Sequence, residues 1–239
     1  KQQSTEVDLI QEADYMLVYS AYEQGRPNAV ELLKDYLDVY PASRHADEVN
    51  FLIGSAHFGQ GEYQKAIFWF NESHIDMLSP EQQEAYCFRL AYSLLQIGDM
   101  EKARGYFARI EQIGTKYREA STYYVAYIDY ATGKYNNALV EFTRLKDLPD
   151  YKERSLYYIT QIYFIQNKYE KVISEGKELL ASYPDSENNS EVYRIMGNAY
   201  YHLGNEDQAI NMLSKYVSST DSPLRGDLYI LGVCYYNKG

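Results

Sequence analysis

The residues best suited to chemistry in this chain of 239 residues are four histidines, two cysteines and 28 tyrosines. His45, His57, His74 and His202 include no pair at the i, i+4 spacing of H-E-x-x-H, and none has a companion cysteine or carboxylate pattern of metal-ligand type. His57 falls on a helical packing position, and His45 and His74 lie near loops. Cys87 and Cys234 are each flanked by apolar residues, which predicts two buried thiols used as small hydrophobes and not a disulfide framework. No G-x-x-x-x-G-K-[ST] phosphate loop and no G-x-S-x-G nucleophile turn occurs, and Gly59-x-Gly61 is a pair of glycines at a helix end. No metal, no cofactor and no enzymatic reaction are expected. Tyrosine is the compositional outlier, and its chemistry is that of recognition: a large rigid ring with a hydroxyl, ordered at low entropic cost.

Composition narrows the partners. Apolar residues are 46% of the chain, too many for disorder. The formal net charge of -11 argues against nucleic acid, which needs clustered Lys and Arg, and against an anionic membrane surface. No apolar run approaches the roughly 18 residues of a transmembrane helix. The many carboxylates read as the solvated faces of helices.

The elements that would position the tyrosines recur along the chain. Gly25, Gly61, Gly98, Gly133, Asn167, Gly204 and Gly239 read as turn residues, at intervals of 36, 37, 35, 34, 37 and 35. Such regularity predicts a helical repeat array. Between Glu191 and Pro223, Tyr193, Met196, Gly197 and Tyr200 take three-, four- and seven-residue spacings on one helical face, followed by Gly204, Ala209 and Leu213. Gly197 and Ala209 are small residues that let two helices approach. In repeat two, Ile53-Gly54, His57, Gly61, Tyr63, Ala66 and Phe70 repeat the pattern, and Ser79 with Gln82 predicts a capping box for the next helix. Pro27 is expected to open the second helix of repeat one. Gly176, in a second helix, costs about 1 kcal/mol against Ala and marks either a weakness or a close contact.

The spacing W-x2-L-G-x2-Y, with Tyr193 for Trp and Met196 for Leu, resembles the tetratricopeptide repeat, a helix–turn–helix unit of about 34 residues. The resemblance covers the whole chain. It implies an all-α fold, a right-handed α-solenoid of six repeats plus one terminal helix, with repeats at about 6–41, 47–80, 84–116, 119–150, 153–186 and 190–223 and a half-repeat at 225–239. It implies one solenoid over 1–239, and the chain is expected to be part of a longer repeat protein, because Leu228, Leu231 and Tyr235 would lack a cover.

The resemblance also implies where a partner binds. First helices line the concave face, and mapping the family's groove positions gives Phe51, Ser55 and Phe58 in repeat two, then Phe88, Tyr92 and Leu95 in repeat three. Repeat four supplies Tyr123, Tyr127 and Tyr130, and repeat five Tyr157, Gln161 and Phe164. Repeat six supplies Arg194, Asn198 and Tyr201, and the last helix Tyr229, Val233 and Tyr236. This aromatic stripe suits a peptide segment or helix of another protein. Its alternative is packing between helices. Some eukaryotic members clamp a C-terminal carboxylate with a basic residue and Asn at the positions of Arg194 and Asn198. Here Ile230 and Val233 replace the clamp's other members, which leaves Arg194 to take a single carboxylate. The functional expectation is a protein-interaction scaffold. The alternative is a self-assembling structural module, associating through the exposed last helix, or a regulatory domain of a longer protein.

A narrower resemblance lies in Tyr40-Pro41-Ala42-Ser43 and Tyr183-Pro184-Asp185-Ser186. This YP-x-S wording is similar to repeats of bacterial envelope proteins, including outer-membrane-assembly lipoproteins and Tol–Pal accessory proteins. It implies a periplasmic or envelope-associated protein, with Lys1 near a cleavage site. A cytoplasmic location is the alternative.

Overall fold

The computed structural model describes the backbone of residues 2–113 and 115–239, and the side chains of 8–110 and 115–239. The cleavage site expected near Lys1 lies outside the described residues. The described chain is helical without strands, and the helices come in pairs. These are α1 (Gln2–Glu23) with α2 (Ala29–Val39), α3 (Ala46–Gly59) with α4 (Tyr63–Asn71), and α5 (Pro80–Gln96) with α6 (Met100–Ile113). Then come α7 (Arg118–Ala131) with α8 (Tyr135–Leu145), α9 (Pro149–Ile165) with α10 (Tyr169–Ser182), α11 (Asn189–His202) with α12 (Glu206–Ser218), and α13 (Arg225–Lys238). The chain forms two compact units, 1–124 and 125–239.

The turns set the period. All seven expected turn residues have positive φ, and Asn167 at 55° is the non-glycine among them. Beyond six of them the next N–H reaches back five residues, as in Glu62 to the His57 carbonyl (2.9 Å) and Lys168 to the Tyr163 carbonyl (2.8 Å). These bonds satisfy carbonyls that a helix end leaves orphaned, and they require the left-handed residue. The capping box is present. The Ser79 N–H donates to Gln82 Oε1 (3.0 Å) and the Gln82 N–H to Ser79 Oγ (3.3 Å). Pro27 does not open a helix as expected. The Ala29 N–H donates to the Arg26 carbonyl (3.0 Å), so residues 26–29 close a tight turn and α2 starts at Ala29.

The core repeats as well. The residue nine positions after the turns at Gly61, Gly98, Gly133, Asn167 and Gly204 is Phe70, Phe107, Phe142, Gly176 and Leu213, and the three phenylalanines are fully buried. Two of the large residues seat on a glycine of the first helix. A Cβ on Gly54 would lie 2.7 Å from Phe70, and one on Gly197 would lie 2.6 Å from Leu213. In the fifth repeat the space is filled from the following repeat. Gly176 stands where the others have a large side chain, and Met196 from α11 fills the space, its Sδ 2.6 Å from where a Cβ would be. Gly176 is therefore a close contact and not a weakness, because Met196 and Val192 of α11 occupy the room a side chain would need. Of the run Phe68-Trp69-Phe70, Phe70 points into the core and Phe68 is exposed, while Trp69 lies under the Lys34 ammonium at 5.4 Å. Cys87 and Cys234 are free and buried.

Candidate functional site: the aromatic face of the first helices

In the unit spanning 1–124, the expected groove residues form a continuous ring cluster. Phe58 meets Tyr92 edge-on at 5.7 Å, and Phe88 stacks on Tyr117 at 4.5 Å. Tyr92 in turn meets Tyr124 edge-on at 5.5 Å, and Tyr124 stacks flat on Phe107 at 5.0 Å. Tyr123 is half-buried beside Tyr124. Phe51 is only 4% exposed, packed on Phe70 and covered by the Arg89 guanidinium at 5.5 Å. It supports the face and offers a partner almost no surface.

The unit spanning 125–239 has the same construction. Tyr127 and Tyr130, both half-buried, lie 5.9 and 5.0 Å from Tyr158, which stacks flat on Phe142 at 4.9 Å. Tyr157 lies at 5.3 Å from the same ring. Burial pushes the Tyr130 and Tyr157 phenols up, and the Glu191 carboxylate nearby adds to both. Phe164 and Tyr201 are half-buried, whereas Tyr229 and Tyr236 on α13 are 72% and 87% exposed.

Tyr124 and Tyr158 were not among the residues expected to build the site. They fall one position after Tyr123 and Tyr157, and their 34-residue separation is the repeat period, which is the signal that marks them.

The polar members form one cluster. Glu191 accepts Arg194 bidentately, at 2.7 Å from Nε and 2.6 Å from Nη2. Asp227 Oδ2 lies 3.7 Å from the same guanidinium, and Asp227 Oδ1 accepts Asn198 Nδ2 at 2.7 Å. Gln161 Nε2 reaches Glu191 Oε1 at 3.4 Å. Gln161 and Asn198 are buried. Hydrogen bonding to Glu191 holds the Arg194 pKa up. Two carboxylates of this chain thus already sit on the Arg194 guanidinium, and a partner's carboxylate would compete with them.

Three histidines pair with carboxylates: His45 with Glu12 at 2.9 Å, His57 with Glu62 at 2.6 Å and His74 with Asp47 at 2.8 Å. Among the described residues no group of three or more His, Cys, Asp and Glu is placed to hold a metal ion, and no helix is long and apolar enough to cross a membrane.

The many buried phenols have a consequence at high pH. Burial pushes Tyr86 up to about 12 from an ordinary 10, and Cys87 up to about 11. Tyr15 is raised further by burial and its hydrogen bond to Glu48. Each folded-state value lies above its unfolded one. The stabilisation is therefore complete below the unfolded value and is lost as pH climbs through the folded one. Tyr86 alone is worth about 3 kcal/mol across pH 10 to 12. Thermal melts should be flat from pH 7 to 9 and fall steeply above pH 10, with tyrosine ionisation, followed by ultraviolet absorbance, lagging until the fold is lost. A melting temperature unchanged at pH 11 would contradict this.

Family models described as tetratricopeptide repeat match residues 15–80, 84–112 and 191–219. Together with the helix pairing, these matches show that the chain belongs to the tetratricopeptide repeat family. The matched stretches cover the first three repeats and the sixth. Comparison with curated proteins returns no match. Solved structures share the fold at low identity. A tetratricopeptide repeat protein from Parabacteroides merdae is 16% identical over 95% of this chain and 86% of its own, with a TM-score of 0.60. YrrB, described as a TPR protein with an unusual peptide-binding site, is 11% identical over 87% of this chain and 98% of its own, at 0.63. MamA is 16% identical over 75% of this chain and 98% of its own, at 0.60. The fold is that of a protein-interaction scaffold.

Proposed function

We propose that the aromatic face of the first helices binds a peptide segment or helix of a partner protein, with Tyr127, Tyr130 and Tyr157 as its centre. One observation carries this reading. Tyr127 and Tyr130 stay half-open to solvent while standing on Tyr158, whose ring is held flat against Phe142. Rings fixed from below lose little freedom on binding, which is what a recognition surface needs. YrrB, whose description names a peptide-binding site, shares the fold and is consistent with this use.

The test is Tyr127→Ala with Tyr130→Ala. A photo-reactive residue at position 127, used in an extract of the source cells, captures the partner, whose affinity is then measured for both proteins. Two aromatic truncations should weaken binding about 10- to 100-fold, with helix content retained and little dependence on salt. An unchanged affinity would remove the reading.

A structural reading is favoured by α13, where Leu228, Tyr229, Tyr235 and Tyr236 are all exposed. In it, the last helix pairs with another copy. Light scattering that finds only monomer over a wide concentration range would exclude that. We also place the protein in the bacterial envelope on the wording of its two YP-x-S junctions, and cell fractionation checks this.

A further inference from the structure

The unit spanning 1–124 contains a cleft of about 410 Å³ between α1, α3, the start of α5 and the approach to α7. Its inner wall carries Arg89. This guanidinium is half-buried, lies over the Phe51 ring and donates to Ser55 Oγ at 2.5 Å. It pairs with no carboxylate among the described residues. Tyr22 lies beside it, its phenol pushed up by burial and drawn back by the Arg89 charge. Arg194, on another first helix, is by contrast neutralised by Glu191 and Asp227. In a chain of net charge -11, a partly desolvated cation at the wall of a cleft without a counterion is an unmet electrostatic demand.

The cleft is amphipathic in a definite order. Tyr19, Tyr22 and Tyr117 line it around Arg89, and the exposed carboxylates Glu23 and Glu81 stand among its lining residues. Lys116, also exposed, is the other cation in the lining. A terminal carboxylate bound through its backbone would bring its charge close to that acidic rim. A carboxylate at the end of a side-chain stem can pass between the tyrosines while its flanking residues remain outside. We infer that this cleft takes the side chain of one glutamate from an extended, otherwise basic segment of a partner protein, with the carboxylate on Arg89 and basic flanks on Glu23 and Glu81. The inference rests on the reading of the first-helix face as a binding surface. It uses residues distant in sequence from Tyr127 and Tyr130, so a failed Arg89 test leaves the Tyr127→Ala, Tyr130→Ala result to decide that reading separately.

The test uses the whole chain and three probe peptides: acetyl-Gly-Lys-Leu-Glu-Leu-Lys-Gly-amide, the same peptide with Gln for Glu, and the Gln peptide with a free C-terminal acid. The Arg89 side-chain N–H resonance, assigned by its loss in Arg89→Lys, is followed by NMR. The Glu peptide should shift it saturably and bind about tenfold more tightly than the Gln peptide. Arg89→Met should abolish that preference, and Arg89→Lys, which keeps the charge and guards against misfolding of the Met variant, should retain part of it. Equal binding of the Glu and Gln peptides, an unmoved Arg89 resonance with all three, or an undiminished preference in a folded Arg89→Met would overturn the inference. Preference for the free-acid peptide over the Glu peptide would overturn it too, by assigning the cleft to a chain terminus.

Discussion

Phe142→Ala is expected to lower stability by about 3–5 kcal/mol, the range for a fully buried phenylalanine whose site cannot collapse. The side chain is 0% exposed and its ring lies flat on Tyr158 at 4.9 Å, an interplanar angle of 12°. Removing it leaves a void and frees Tyr158, the ring on which Tyr127 and Tyr130 stand. Two readouts should therefore move together. The melting temperature should fall by roughly 10 °C, and amides of α8 and α9 should exchange faster than those of α3 and α4, because repeats contact mainly their neighbours. Partner affinity measured below the melt should also weaken, although residue 142 does not reach the surface. A normal melt, or a large melt shift with wild-type affinity, would break the link between the core ring and the face above it.

The second large effect is a contrast between glycines in one register. Gly54, Gly197 and Gly232 occupy the same position of their repeats. Replacing glycine by alanine within a helix is worth up to about 1 kcal/mol in propensity. At Gly197 the new Cβ would lie 2.6 Å from Leu213 Cγ and 3.1 Å from the Leu213 backbone nitrogen, so the neighbour cannot simply rotate away. Overpacking of that kind costs about 1–3 kcal/mol and outweighs the gain. Gly197→Val adds further bulk and should cost more than Gly197→Ala. At Gly54 the obstruction is the Phe70 ring, at 2.7 Å. At Gly232 nothing lies within 4 Å of the new atom, so Gly232→Ala should raise stability. Chemical denaturation of the three alanine variants and Gly197→Val decides it. The same sign at all the alanine positions would show that propensity and not packing governs this register.

How much of this was legible depends on where the controlling interaction sits. The turns were readable because a left-handed residue is a local demand that glycine, or Asn167, meets by itself. The Ser79 capping box was readable for the same reason. Pro27 was misplaced because residues 26–29 close a tight turn, a choice made by the hydrogen bond from the Ala29 N–H to the Arg26 carbonyl. The fate of Gly176 could not be read locally, since what fills its space is Met196 of the following repeat. The aromatic stripe was visible as a register, but its supporting layer was not. Tyr124 and Tyr158 sit one residue away on a neighbouring face, and they matter only because Phe107 and Phe142 lie opposite them. Charge was hardest. Glu191 is three residues from Arg194, a spacing at which helical ion pairs form, but Asp227 arrives from another helix. That Arg89 lacks such a partner among the described residues depends on carboxylates distant in sequence, which no local spacing reveals.

The flat stacks of Phe107 on Tyr124 and of Phe142 on Tyr158 each join the second helix of one repeat to the first helix of the next. The seam, not the repeat, is thus the heritable unit of this surface. A duplication or exchange cut at the turn glycines would carry each seam intact, whereas one cut between repeats would part the rings and leave a tyrosine face without its footing. Recombination among such arrays should therefore preserve function most often when it breaks within a helix pair, at the loop that looks least like a boundary.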